Sequence, residues 1–264
     1  MEIYLPHLLR KTLARERGDR SRASDIGRDE VTAAAAIEAE LAALADPGRA
    51  AFVAPYLGAV PGGYGEGDVL LGMPVPAQRR VARAHREAPL AEVERLLRSD
   101  VHEHRFVALA ILCLRFQRAD AGERERLARF YIDHRDRVDN WDLVDASAPK
   151  LLAERVRGGD RGFLDELVAS ESVWDRRIAI LATFPLIRDG EPDETLRLAE
   201  RLLGDEHDLI HKAVGWMLRE AGKRDEAALR GFLDAHAAAM PRTMLRYSLE
   251  RLPADVRARY MAAR

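Results

Sequence analysis

Four residues combine reactive chemistry with informative spacing: Trp141 and Asp145 one helical turn apart, Arg177 in the run Trp174-Asp175-Arg176-Arg177, and Trp216 in Gly215-Trp216-Met217-Leu218-Arg219. Residues at i and i+4 share a helix face, so Trp141 and Asp145 set an aromatic plane beside a carboxylate. Asp142 is simply placed for the helix dipole in a first turn that Asn140 caps. Asp145 lies further in, where it either pairs with a cation from a neighbouring helix or serves chemistry. Arg177 brings a planar fork that can hold a phosphate in a way lysine cannot reproduce, and Arg176 beside it offers the same group. On the helix from His207 to Gly222, at about 100° per residue, Ile210, Ala213, Val214, Met217 and Ala221 gather on one side. Lys212, Trp216, Arg219 and Lys223 gather on the other. A tryptophan among cations can stack on a base or sugar, unless a neighbouring repeat covers it.

Helices must position these groups, because the chain has no long alternating pattern of a β-strand. Apolar periodicity predicts helices over about 31–45, 77–88, 90–98, 103–117, 121–136, 141–157 (divided at Pro149), 161–169, 173–184, 192–203, 207–222, 225–239 and 242–262. Short connections make consecutive helices antiparallel neighbours. A repeat runs through them: HEHRFVALAIL, WDLVDASAP, SVWDRRIAIL and HDLIHKAVGWML each set a charged residue before a small apolar run. Those residues are Arg105, Asp145, Arg177 and Lys212, separated by 40, 32 and 35 positions. Such periods build all-α solenoids of HEAT-like helix pairs. Equivalent positions would then line one surface, expected to be concave. A basic row suits a phosphate backbone, and its one carboxylate marks a place for something else. Capping and ion pairs that recur with the repeat would leave the same pattern.

Residues 1–30 are charged and poorly periodic and read as a mobile leader, with a single helical repeat domain expected over 31–264. With 47% hydrophobic residues the chain can bury a large core. One cysteine, Cys113, sits in an apolar run, which excludes internal disulfides and fits a reducing cytoplasm. No apolar stretch is long enough for a membrane span or a secretion signal. Lys and Arg number 42 against 44 Asp and Glu, so any anionic partner must be held by a local patch. His102 and His104 lack distant Cys or His partners for zinc, and the glycines of Val60-Pro61-Gly62-Gly63-Tyr64-Gly65-Glu66-Gly67-Asp68 lack the ending of a phosphate loop. No metal or organic cofactor is expected. His207 and His211 remain open as chemistry-bearing groups.

The runs YGEGDVLLGMPVPAQRRVA, HEHRFVALAIL, NWDLVDASAP, WDRRIAIL, IHKAVGWMLREAGK and MPRTMLRYSLERL together resemble, in order, the AlkD-like DNA alkylation repair family over about residues 50–252. That resemblance implies a HEAT-repeat solenoid that wraps duplex DNA and excises N3- or N7-alkylated purines. It implies a catalytic Asp145, sugar-facing Trp141 and Trp216, and a phosphate-facing Arg177; the basic row and the cationic side of the 207–222 helix add Lys212, Arg219, Lys223 and Arg105 as expected DNA contacts. The alkylated base is cationic and leaves readily. Bond cleavage develops positive charge on the deoxyribose, as in glycoside hydrolysis, and a fixed carboxylate with flanking aromatic faces stabilises it. The expected partner is duplex DNA containing alkylated purines, met by a monomer with no membrane. The rival readings are a non-catalytic HEAT-repeat module for DNA structure or protein partners, and a scaffold without nucleic-acid affinity.

Overall fold

The computed structural model describes residues 32–262, so the leader expected over residues 1–30 lies outside the described residues. Among the described residues there is no β-strand, only a parallel bridge between Val69 and Val101. The chain forms an all-helical solenoid. In order the helices are α1 (Ala33–Ala43), α2 (Pro47–Val53), α3 (Val75–Ala84), α4 (Leu90–Leu97), α5 (His102–Phe116), α6 (Ala121–Asp133), α7 (Trp141–Leu151) and α8 (Ala153–Arg157). They continue as α9 (Gly162–Val168), α10 (Val173–Ala182), α11 (Phe184–Asp189), α12 (Asp193–Arg201), α13 (Asp208–Gly222), α14 (Glu226–His236), α15 (Arg242–Ser248) and α16 (Ala254–Met261).

Local chemistry explains most of the starts. The side chains of Thr32, Asp46, Asp120, Ser172 and Asp225 each accept a first-turn amide of the helix they precede, satisfying donors that the helix itself leaves unpaired. The expected 242–262 helix divides into α15 and α16, with Pro253 immediately before α16, where its fixed φ and missing N–H suit a helix start. The 141–157 stretch does divide, but at Leu152, and Pro149 stays inside α7. Having no N–H, Pro149 cannot donate to the carbonyl of Asp145 four residues back. The six-residue α11 was not anticipated from the sequence.

Helices α3, α5, α7, α10, α13 and α15 pack each against the next and form one layer. Helices α4, α6, α9 and α14 pack on that layer. A single apolar cluster runs through the stack from Ile37 to Tyr260. Of the residues with site chemistry named above, Arg105, Trp141, Asp145, Arg177, Lys212, Trp216 and Arg219 stand on α5, α7, α10 and α13 of that layer.

Candidate functional site

Asp145 and Arg177 meet across adjacent helices α7 and α10. The guanidinium donates from Nε to Oδ1 and from Nη2 to Oδ2, both at 2.8 Å, and from Nη1 to the carbonyl of Leu209 at 2.6 Å. Arg177 is buried, and its fork therefore fixes the carboxylate plane by two parallel bonds. Each carboxylate oxygen keeps a second lone pair. Burial raises the pKa of Asp145 above the ordinary carboxylate range, while the bonds and charge of Arg177 pull it back down. The reading of Asp145 as one half of an inter-helix ion pair is thus correct at the level of structure. Arg176 takes no part in this pair and turns instead to Asp205 at 2.6 Å and to the carbonyls of Ser170 and Glu171.

One turn before Asp145, Trp141 donates from Nε1 to the carbonyl of Tyr56 at 3.4 Å, and its ring stands edge-on to Tyr56 with centroids 5.1 Å apart. Tyr64 donates to the same carbonyl at 2.9 Å and lies edge-on to Trp174, which is half-buried. The glycine-rich loop thus braces the start of α7. Asn140 stands at the capping position, yet its Nδ2 donates to Leu57 in that loop at 2.8 Å instead of capping the helix. A Cβ on Gly65 would sit 2.7 Å from the Leu57 carbonyl, so only glycine allows this approach.

Beneath the loop, His102 bridges Asp68 and Asp142 at 3.1 and 2.9 Å. Burial disfavours a charged ring, but the two carboxylates outweigh it and lift its pKa to about 9. Asp142 is therefore one wall of a buried charge network, beyond the dipole role expected of it. This His102 contact is not legible in the sequence, because Asp68 and Asp142 are 34 and 40 positions away.

Trp216, on α13, is half-buried with its ring tilted 6.5 Å from Phe184. It shares with Asp145 a cleft of about 450 Å³, lined also by Pro149, Lys150, Phe184 and Arg188. The apolar stripe expected opposite Trp216 is wholly buried. Trp141 does not line this cleft.

The cations expected beside Trp216 are engaged within the protein. Lys212 pairs with Asp208 at 2.7 Å, Lys223 with Glu220 at 2.6 Å, and Arg219 with Glu250. Arg105 is a correction: it is 1% exposed, bonded to Asp68 at 2.7 Å and to the Ser99 carbonyl, and ion-paired with Asp139 at 3.3 Å, so no phosphate can reach it as it stands. The cause is a register slip of one residue. Measured from the residue preceding each helix, Asp145, Arg177 and Lys212 stand at the fifth place, and on α5 that place belongs to Phe106. Arg105 occupies the place of Arg176, and both reach the carbonyl six residues back. The signal was present: Ser99 and Ser170 each accept the amide two residues on, so aligning these serines sets the register. The same fifth place holds Arg79 on α3 and Arg246 on α15, which sequence reading missed; both are exposed.

His207 accepts the Leu209 amide and His211 bonds the Asp205 carbonyl, so both serve the turn before α13. Cys113 is buried, and that burial pushes its thiol up to about 11. No helix among the described residues is long and apolar enough to cross a membrane.

The model of a family described as DNA alkylation repair enzyme matches residues 37–252. A solved structure described as a predicted DNA alkylation repair enzyme from Enterococcus faecalis is similar with a TM-score of 0.63 and 19% identity, covering 80% of this chain and 97% of that one. A second, from Streptococcus mutans UA159, has a TM-score of 0.47 and 16% identity over 71% of this chain and 91% of that one. No curated protein matches the chain.

Proposed function

Given that this chain belongs to the DNA alkylation repair enzyme family, we propose that it is a monofunctional DNA glycosylase that hydrolyses the bond between deoxyribose and a cationic N3- or N7-alkylated purine. The observation that carries this reading is the Asp145 carboxylate at the edge of an open, partly aromatic cleft, clamped in one orientation by Arg177. As the C1′–N bond breaks, its electron pair neutralises the departing base and positive charge appears on the sugar. A preorganised carboxylate stabilises that charge without reorienting. Its remaining lone pairs can accept a proton of the attacking water, whose oxygen bonds C1′ and leaves an abasic site. Trp216 offers the cleft's indole face to the cationic sugar, while Trp141, one turn before Asp145 on the same helix, flanks the cleft rather than lining it. Arg177 serves as the positioning residue for Asp145, which revises its expected role as a phosphate contact. From α5 onward, helix pairs repeating at 32 to 39 positions fit a HEAT-like scaffold for duplex DNA, with one chain sufficient. The chemistry requires only water.

The completed Asp145–Arg177 pair favours one alternative, a non-catalytic DNA-binding module in which that pair only ties α7 to α10. Incubation with duplex DNA carrying 7-methylguanine separates the two. The glycosylase releases free base and leaves alkali-labile sites, whereas the module gives salt-sensitive binding with every base retained.

A further inference from the structure

His102 is a buried titratable group to which the chemistry above assigns no part. It opens α5 at 2% exposure, with Nδ1 3.1 Å from Oδ2 of Asp68 and Nε2 2.9 Å from Oδ2 of Asp142. Ionised carboxylate oxygens only accept, and a neutral imidazole has a single N–H. Two such contacts at once require a proton on each ring nitrogen, so the ring is an imidazolium. Its pKa of about 9 agrees with that count.

The two carboxylates differ in what else holds them. Asp68 has a second donor, Arg105, whose Nη2 meets its Oδ1 at 2.7 Å. Burial works against the charge of Asp68, but His102 and Arg105 outweigh it and keep the carboxyl below the ordinary range. Asp142 has no such second partner among the described residues: its Oδ1 is buried and takes no hydrogen bond, and its ion pair is with His102 alone. Asp142 stands one residue after Trp141 and three before Asp145, so it shares a face of α7 with Asp145. Its negative charge pushes Asp145 toward the neutral acid, the form that cannot stabilise a cationic sugar. The charge on His102 opposes this at its source. Through Asp68 the same ring joins the end of the glycine-rich loop to α7, and the Tyr56 carbonyl before that loop holds Trp141.

We propose that His102 is a positioning residue for base release: its imidazolium neutralises Asp142, so that Asp145 stays ionised, and clasps the first turn of α7 to the glycine-rich loop. The proposal rests on the reading of Asp145 as the carboxylate that meets the sugar. His102 does not line the Asp145 cleft, so it acts through Asp142. The groups facing His102 are Asp68 from the loop, Asp142 from α7 and Arg105 from its own helix. Asp145 is faced by Arg177 from α10, Asp142 from its own helix, Tyr131 from α6 and, around the cleft, Arg124, Lys150, Glu154, Arg157 and Arg188. Changes confined to His102 and Asp142 leave all the others in place.

The test is the acid limb of the pH–rate profile for single-turnover release of 7-methylguanine from duplex DNA, corrected for spontaneous loss. Wild type, His102→Gln, Asp142→Asn and the double variant are compared, each with its thermal transition verified. His102→Gln leaves Asp142 charged without its counter-ion, so the limb should move to higher pH. Asp142→Asn leaves the imidazolium in excess, and the limb should move to lower pH. The double variant removes both charges and should bring the limb back toward the wild-type position. A tie that only supports the fold would slow release in all three variants with the limb unmoved, which would overturn the proposal. Asp142→Asn reads the same charge by itself, so an unmoved limb there overturns the proposal even where His102→Gln does not fold. A wild type that releases no base overturns the reading of Asp145 and this proposal with it, whereas release with unmoved limbs overturns the proposal alone.

Discussion

At Asp145 two demands meet: the carboxylate must be charged to stabilise a cationic sugar, and it is buried deeply enough to resist being charged. Arg177 settles the conflict through two parallel bonds. The pKa still lies above 3.8, so base release should fall on acidification at a higher pH than a free aspartate would give, and a pH–rate profile measures this. Arg177→Met should cost roughly 3–5 kcal/mol in urea unfolding, because it strands a buried charge. Adding Asp145→Asn to it should recover part of that loss, since the double variant has no uncompensated charge. If the double variant is less stable than Arg177→Met alone, the pair is not the reason Arg177 is needed. The residue types at this site were legible in the sequence, and so was an ion pair for Asp145. Which arginine supplied it was not, since Arg176 and Arg177 differ only by the turn of one helix step, which packing decides.

Among the elements, α7 carries the site and is braced at its start by the glycine-rich loop and by His102. A ring with a folded pKa near 9 and an ordinary value of 6.5 stabilises the fold fully below pH 6.5, and that contribution fades as pH rises through 9. Unfolding free energy should therefore drop by up to roughly 3 kcal/mol between pH 6 and pH 10, and His102→Gln should remove most of that dependence. A wild type and variant with parallel pH profiles would refute the assignment. The groups facing His102 are Asp68, Asp142 and, on its own helix, Arg105. At the other side of the site, a Cβ on Gly215 would lie 2.5 Å from the Met244 carbonyl and 2.6 Å from Tyr247. Alanine gains about 1 kcal/mol of helix propensity, but overpacking against backbone costs about 1–3, so Gly215→Ala should lower Tm and loosen the seat of Trp216. The helices were readable because their apolar stripes are periodic. The length of α7 beyond Pro149 and the short α11 were not, as both depend on burial against neighbours rather than on local signals.

For the molecule as a whole, total charge was silent because much of the charge is paired locally: most arginines among the described residues hold carboxylates. The repeat was visible as four charged residues, yet the slip at Arg105 shows that spacing alone fixes a helical array only to within one residue. A shift of one position turns a side chain about 100° around the helix axis, which sets Arg105 in the ion-pair network of Asp68 and Asp139. The central claim is that this array holds one carboxylate ready for a sugar cation. The most direct measurement is single-turnover release of 7-methylguanine from duplex DNA by the wild type and by Asp145→Asn, whose folding is verified first. Release by the wild type and a loss of about 10²–10³-fold in the variant is the predicted result. Equal release by both, or none by the wild type, would contradict it.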